Sequence, residues 1–241
     1  MPASSGVLSN VYADATRGKV RGGLNGSWNS NYIGTKDSGQ GPHCFIVEGD
    51  PGFVIKPHFH GVNQFQVCAG GSGMLGKSPL TPGVLHYADA YTPYGPLVAS
   101  DRGLTFFTLR QMAQTGTHYV PGAKKEEKKA PTGRNLVTRA EPERRGTSGV
   151  RHLIDQADGV HVIELAGAAH EMLPDPDGLV KHGSAYVVVF AGSITVEGRD
   201  YPERSVLFVP EGERVPALAC GPDGALAAFM SFAAGGGAAL P

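Results

Sequence analysis

The chain has little of what would tie it to a special environment. Cysteine occurs three times, as Cys44, Cys68 and Cys220. An odd number without CxxC spacing excludes a fully paired disulfide framework and a structural zinc knuckle. A reduced, cytoplasmic setting is therefore expected. No apolar run approaches the roughly 18 residues that a membrane span requires, and the longest, such as Tyr186 to Ala191, have the length of a strand. The start, Met1-Pro2-Ala3-Ser4-Ser5, lacks the basic and apolar regions of a secretory leader. Neither sign of charge dominates: 21 basic and 22 acidic residues give a net charge of −1. Nothing here points to nucleic acid or to an acidic tail. Long helices are missing as well, since no stretch beyond about ten residues keeps a clean helical period.

Glycine is abundant instead. There are 35 in 241 residues, with 18 prolines, against an average glycine usage of about 7%. So many breakers suit short strands joined by tight turns. Candidate strands in the N-terminal half are His43 to Glu48, Phe53 to His60, Gln64 to Ala69, Val84 to Tyr91 and Leu104 to Leu109. In the C-terminal half they are Val160 to Leu165, Tyr186 to Ala191, Ser193 to Glu197, Val206 to Val209 and Ala225 to Phe232. Turn signals separate them, among them Gly49-Asp50-Pro51-Gly52, Ala69-Gly70-Gly71, Asp175-Pro176-Asp177-Gly178 and Pro222-Asp223-Gly224. Between the halves, the charge run Ala123 to Pro131 and the polar Arg139 to Gly149 predict a surface linker over 121–150. The expected division is 1–120 (an extended arm to Gly41, then a barrel), 121–150 as linker, and 151–241 as a second barrel.

The two halves repeat one another. Val67-Cys68-Ala69-Gly70-Gly71-Ser72 matches Val189-Phe190-Ala191-Gly192-Ser193, and Tyr91-Thr92-Pro93-Tyr94-Gly95 matches Phe208-Val209-Pro210-Glu211-Gly212. Both copies then pass a polar turn, Ser100 to Gly103 or Gly221 to Gly224, into a last apolar strand.

In the first copy, Gly52 is followed after five residues by His58-Phe59-His60, after three more by Gln64, and after six more by Gly71. This spacing resembles the first motif of the cupin superfamily, G(x)5HxH(x)3,4E(x)6G. The second motif is matched only by Pro93-x-Gly95. With the duplication, the resemblance is to a bicupin, and it implies an all-β fold of two tandem double-stranded β-helix (jelly-roll) barrels. Alternate strand residues share a face, so His58 and His60 point the same way and position 64 on the next strand can face the same point. Such residues suit a divalent transition metal: Fe, Mn, Ni, Cu or Zn. Glutamate is replaced by Gln64, however, and Val98 stands where the last histidine belongs. A metal at His58, His60 and Gln64 would be held by neutral ligands, with His86 or His43 as a replacement ligand. A metal-free pocket for an organic ligand and residual core histidines are the other two readings.

Alternation adds Gln66 and Cys68 to the face of Gln64. Gln66, His86 and Tyr91 are the candidates for orienting substrate or shuttling a proton. Cys68 suits a small filler, and Tyr91 and Tyr94 suit either packing or substrate contact. In the second copy, aligning Gly192 with Gly71 places Leu179, Lys181 and Ala185 at the ligand positions, so that barrel is expected to be structural. His161 and His170 are read as structural or surface residues, and Asp175-Pro176-Asp177-Gly178 as a turn, not a calcium loop.

The resemblance implies a small-molecule enzyme with metal-dependent, dioxygenase-like chemistry in the N-terminal barrel, with isomerase or lyase chemistry next. The alternative is a metal-free ligand-binding or sensing bicupin; a storage role ranks third. The expected partner is a small-molecule substrate, without nucleic acid or membrane, and bicupin resemblance also implies a homodimer.

Overall fold

The computed structural model describes residues 7–11, 14–19, 27–114, 116–123 and 133–235. Most of the charge run read as a linker, 124–131, lies outside them. Strands run in chain order as β1 (Leu8–Asn10), β2 (Thr16–Lys19), β3 (Ser27–Ile33), β4 (His43–Gly49), β5 (Val54–Ile55) and β6 (His58–Phe59). They continue as β7 (Gln64–Leu75), β8 (Ser78–Leu80), β9 (Val84–Ala88), β10 (Leu97–Arg110), β11 (His118–Tyr119) and β12 (Asn135–Arg139). The last six are β13 (Gly149–Asp155), β14 (His161–Gly167), β15 (Ala185–Val196), β16 (Arg199–Pro202), β17 (Val206–Val209) and β18 (Ala219–Ser231). The described helices are short 3₁₀ turns, and none is long and apolar enough to cross a membrane.

The chain divides into two compact units. The N-terminal barrel spans 15–139 and is built on a sheet in the order β12-β9-β7-β10-β4-β3-β2, with a separate β11-β6 pair. The C-terminal barrel spans 140–238 together with 1–14, on the order β1-β17-β15-β18-β14-β13. The expected boundaries need correction at two points. Leu8–Asn10 pairs with Val206–Phe208 at a sheet edge, and Ser27–Ile33 pairs with both His43–Gly49 and Thr16–Lys19, so these parts of the arm are sheet strands at or next to an edge. The linker 121–150 also gives up its second half, because Asn135–Arg139 pairs with β9 and the segment from Ala140 on joins the second barrel. Glu164, fully buried, holds that segment by accepting from the Glu141 N–H (2.7 Å) and from Arg144 Nη1 (2.6 Å). Edge strands with one solvated face carry no continuous apolar run, which is why composition hides them.

Two predicted turns are bulges inside long strands. β7 runs through Gly70-Gly71 and β10 through Ser100 to Gly103, with register shifts between them. Gly71 has φ +67°, and a Cβ there would lie 2.2 Å from Gly103 O. Gly192, with φ +70°, stands in the same relation to Gly224 O, at 2.0 Å. The repeat seen in sequence is thus a repeated close approach of two backbones that only glycine permits. Gly49-Asp50-Pro51-Gly52 closes as expected, with Phe53 N–H donating to Asp50 O (3.0 Å). The Asp175–Gly178 turn is held by Arg214, which donates to both Asp175 (2.9 Å) and Asp177 (3.2 Å).

Candidate functional site

Strand register lines up the inner face of the N-terminal sheet in three rows. His43, Arg110, Gln64 and Ala88 form the first; Phe45, Thr108, Gln66 and His86 the second; Val47, Phe106 and Cys68 the third. His58 and His60 come from β6 and the residue after it. The His58 and Tyr94 backbones exchange N–H···O bonds (3.1 and 3.0 Å), which puts the Tyr94 ring 4.5 Å from the His58 ring, centroid to centroid. Between these elements lies a cavity of about 800 Å³. His58, His60, Gln66, Tyr94 and Arg110 line it, with apolar contributions from Phe45, Phe53 and Phe106.

The two histidines are prepared alike. His58 Nδ1–H donates to Lys56 O (2.7 Å) and His60 Nδ1–H to Gly116 O (3.0 Å), so Nε2 of each carries a lone pair. Burial is the main cause that lowers the pKa of His58 to about 4, and the Arg110 guanidinium adds to it. His60 is lowered well below its ordinary value by burial first, then by Arg110 and His58. Both rings are neutral at pH 7 and accept hydrogen bonds.

Gln64 is brought close, but not as a ligand. Its Oε1 accepts from Arg110 Nε (3.1 Å), and its Nε2 donates to the Tyr94 hydroxyl. Burial pushes the Tyr94 hydroxyl pKa upward. Arg110, only 4% exposed, also reaches Gln114 O (3.5 Å) and lies over the Phe45 ring (5.6 Å). Its side chain was missed from sequence because the predicted strand stopped at Leu109. Extending the alternation Phe106, Thr108 by one residue would have found it.

His86 does not replace the missing ligand. Asn135 Nδ2 donates to Pro93 O (3.0 Å), which turns Asn135 Oδ1 toward His86 Nε2–H (3.0 Å). The Gln66 amide meets Nδ1 at 3.0 Å, so both ring nitrogens are engaged. Burial lowers the pKa of this ring to about 4. The gap beside it is about 10 Å³, room for no more than one water. His43 also lines the cavity, and its Nε2 is held by Asn31 Oδ1 (3.2 Å). Tyr91 is corrected too: its ring packs toward Phe59 (6.1 Å), which points away from His58 and His60. Burial raises the Cys68 pKa to about 11, as befits a filler and not a nucleophile.

The metal set implied by resemblance does not fit these residues. Among the described residues no three of His, Cys, Asp and Glu come together to hold an ion. Two neutral nitrogens remain, Gln64 is held between Arg110 and Tyr94, and a guanidinium lines the same cavity.

Neither a protein-family model nor a curated protein sequence matches the chain. Solved structures do. A protein of Nostoc punctiforme provisionally described as a dioxygenase shares 12% identity at a TM-score of 0.69, covering 99% of this chain and 86% of its own. The fold is of the cupin type. A variant of Bacillus subtilis oxalate decarboxylase matches at 11% identity and TM-score 0.59, over 96% of this chain and 78% of that one. Mn(II) centres are described for that decarboxylase. At such identity the likeness carries the all-β jelly-roll fold and leaves chemistry to the site itself.

Proposed function

We propose that the chain is a bicupin whose N-terminal barrel binds a small organic molecule without a resident metal, the C-terminal barrel being structural. One observation carries this reading: Gln64, at the position of the family's acidic ligand, is held between Arg110 and Tyr94. The metal-dependent, dioxygenase-like chemistry implied by resemblance would have to rest on His58 and His60 alone, against the charge of Arg110. The cavity suits an organic ligand better, with three phenylalanines and a few convergent polar groups. The test is amide chemical-shift mapping of isotope-labelled protein with a fragment library in EDTA. Shifts clustered at Phe45, Gln66, Thr108 and Arg110 are expected. Shifts there only after a dication is added would overturn the reading.

A second reading, an isomerase or lyase acting by proton transfer, is favoured by the tautomer of His58 and His60. Each has an Nε2 lone pair, and a bound anion beside Arg110 would raise its basicity. Carboxylates found in the library would then exchange their α-protons in D2O. Loss of that exchange in His58→Asn/His60→Asn would support the enzyme; no exchange in the wild type would leave a binding protein.

A further inference from the structure

The hydrogen-bonding sense of three cavity groups is fixed by their other partners. His58 and His60, their ring centroids 5.2 Å apart, each give Nδ1–H to a backbone carbonyl, which leaves Nε2 as an acceptor. Among the described residues neither Nε2 meets a donor, and neither is one of the fully buried polar atoms without a partner. Both therefore open on the cavity that the two rings line. Tyr94 lies against the same pair, 4.5 Å from the His58 ring and 6.4 Å from the His60 ring. Arg110 Nε carries a hydrogen and can only donate, so the Gln64 atom it meets is Oε1, and the atom facing Tyr94 is Nε2. The Tyr94 oxygen thus accepts from Gln64, and its own hydrogen meets no acceptor among the described residues. A glutamate at position 64 would take that hydrogen for itself; glutamine leaves it for the cavity.

Resting on the reading of this cavity as a small-molecule site, we infer that it selects its ligand by a pattern of donors and acceptors. The ligand presents two N–H or O–H donors to His58 and His60 and a carbonyl oxygen to Tyr94, as a cyclic urea or a hydroxylated ketone does. Phe45, Phe53 and Phe106 cover its apolar body. The histidines supply the discrimination, because a ligand without donors leaves two buried imidazole nitrogens dehydrated and unpaired. Gln64 is a positioning residue that acts through Tyr94, keeping its hydroxyl hydrogen turned to the cavity.

The test compares benzimidazol-2-one with indan-2-one, which keeps its shape and carbonyl but replaces both N–H groups by CH2, using titration calorimetry on the full chain in EDTA. The urea should bind the wild type at least about tenfold tighter, as expected for two hydrogen bonds. His58→Leu/His60→Leu should bring that ratio near one. Tyr94→Phe should weaken both probes alike and leave the ratio unchanged. Gln64→Glu should do the same, and should add nothing when combined with Tyr94→Phe. If the histidine variant does not fold, isotope-labelled histidine in the wild type takes its place: the Nε2 resonances of His58 and His60 should move with benzimidazol-2-one and stay with indan-2-one. Equal binding of the two probes to the wild type would overturn the donor pattern and leave the small-molecule pocket standing. A ratio that survives loss of both histidines, or Nε2 resonances unmoved by the urea, would overturn their role. Unchanged binding in Tyr94→Phe would overturn the part given to Tyr94 and Gln64. If neither probe binds, the inference falls; the pocket falls with it only if the fragment library also leaves the cavity residues unshifted.

Discussion

Position by position, the two barrels share a skeleton and differ in what they put inside it. The row His43, Arg110, Gln64, Ala88 of the first corresponds to His161, Ser231, Ala185, Val209 of the second. Phe45, Thr108, Gln66, His86 correspond to Ile163, Phe229, Val187, Leu207. Where the second barrel closes its interior with Phe229 and aliphatic side chains, the first leaves a cavity edged by amides, imidazoles and a guanidinium. The same backbone device, a glycine bulge facing a glycine carbonyl, supports both. Fold and site are thus separable in this chain: one is written in glycines, the other in alternate strand positions.

The largest effects should strike the shared skeleton. Gly71→Ala and Gly192→Ala each force a Cβ to about 2 Å from a carbonyl oxygen at positive φ. Each should cost on the order of 3–5 kcal/mol or prevent folding, measured by denaturant unfolding; tolerance at one glycine alone would break the equivalence. Next come the interiors. Phe229→Ala should cost about 3–5 kcal/mol, and Thr108→Ala at the matching position under about 1 kcal/mol. Comparable losses would mean the first barrel is packed like the second.

Acid should also separate the barrels. His58 and His86 have folded pKa values of about 4, below the ordinary 6.5. The unfolded chain then binds protons that the folded barrel refuses. Stability is full above about pH 6.5 and declines as pH falls toward 4, by on the order of 2 kcal/mol per ring. Amide resonances of the first barrel should fade before those of the second on acidification. Simultaneous loss would contradict this. The smallest effect belongs to Gln66→Val/His86→Leu, which installs the second barrel's residues. Removing both hydrogen-bonding partners together should change stability by no more than about 1 kcal/mol, measured by denaturant unfolding.

The sequence made the strands, the duplication and the His58/His60 pair legible because each depends on local periodicity. What stayed hidden depends on pairing between distant strands. Arg110 meets Gln64 across 46 residues and His86 meets Asn135 across 49, and no local pattern reports either contact. Tyr91, a candidate from its place beside Pro93 in the motif, takes φ +60° and packs toward Phe59, and neither its backbone conformation nor that contact is written in the motif. Edge strands such as Asn135–Arg139, solvated on one face, read as linker for lack of an apolar run.

The central claim, that the first barrel binds a small organic molecule without a resident metal, is tested most directly by elemental analysis of tag-free protein. Wild type and His58→Ala/His60→Ala should both carry well under one equivalent of any transition metal, and the same amount. One equivalent in the wild type, lost in the variant, would contradict the account.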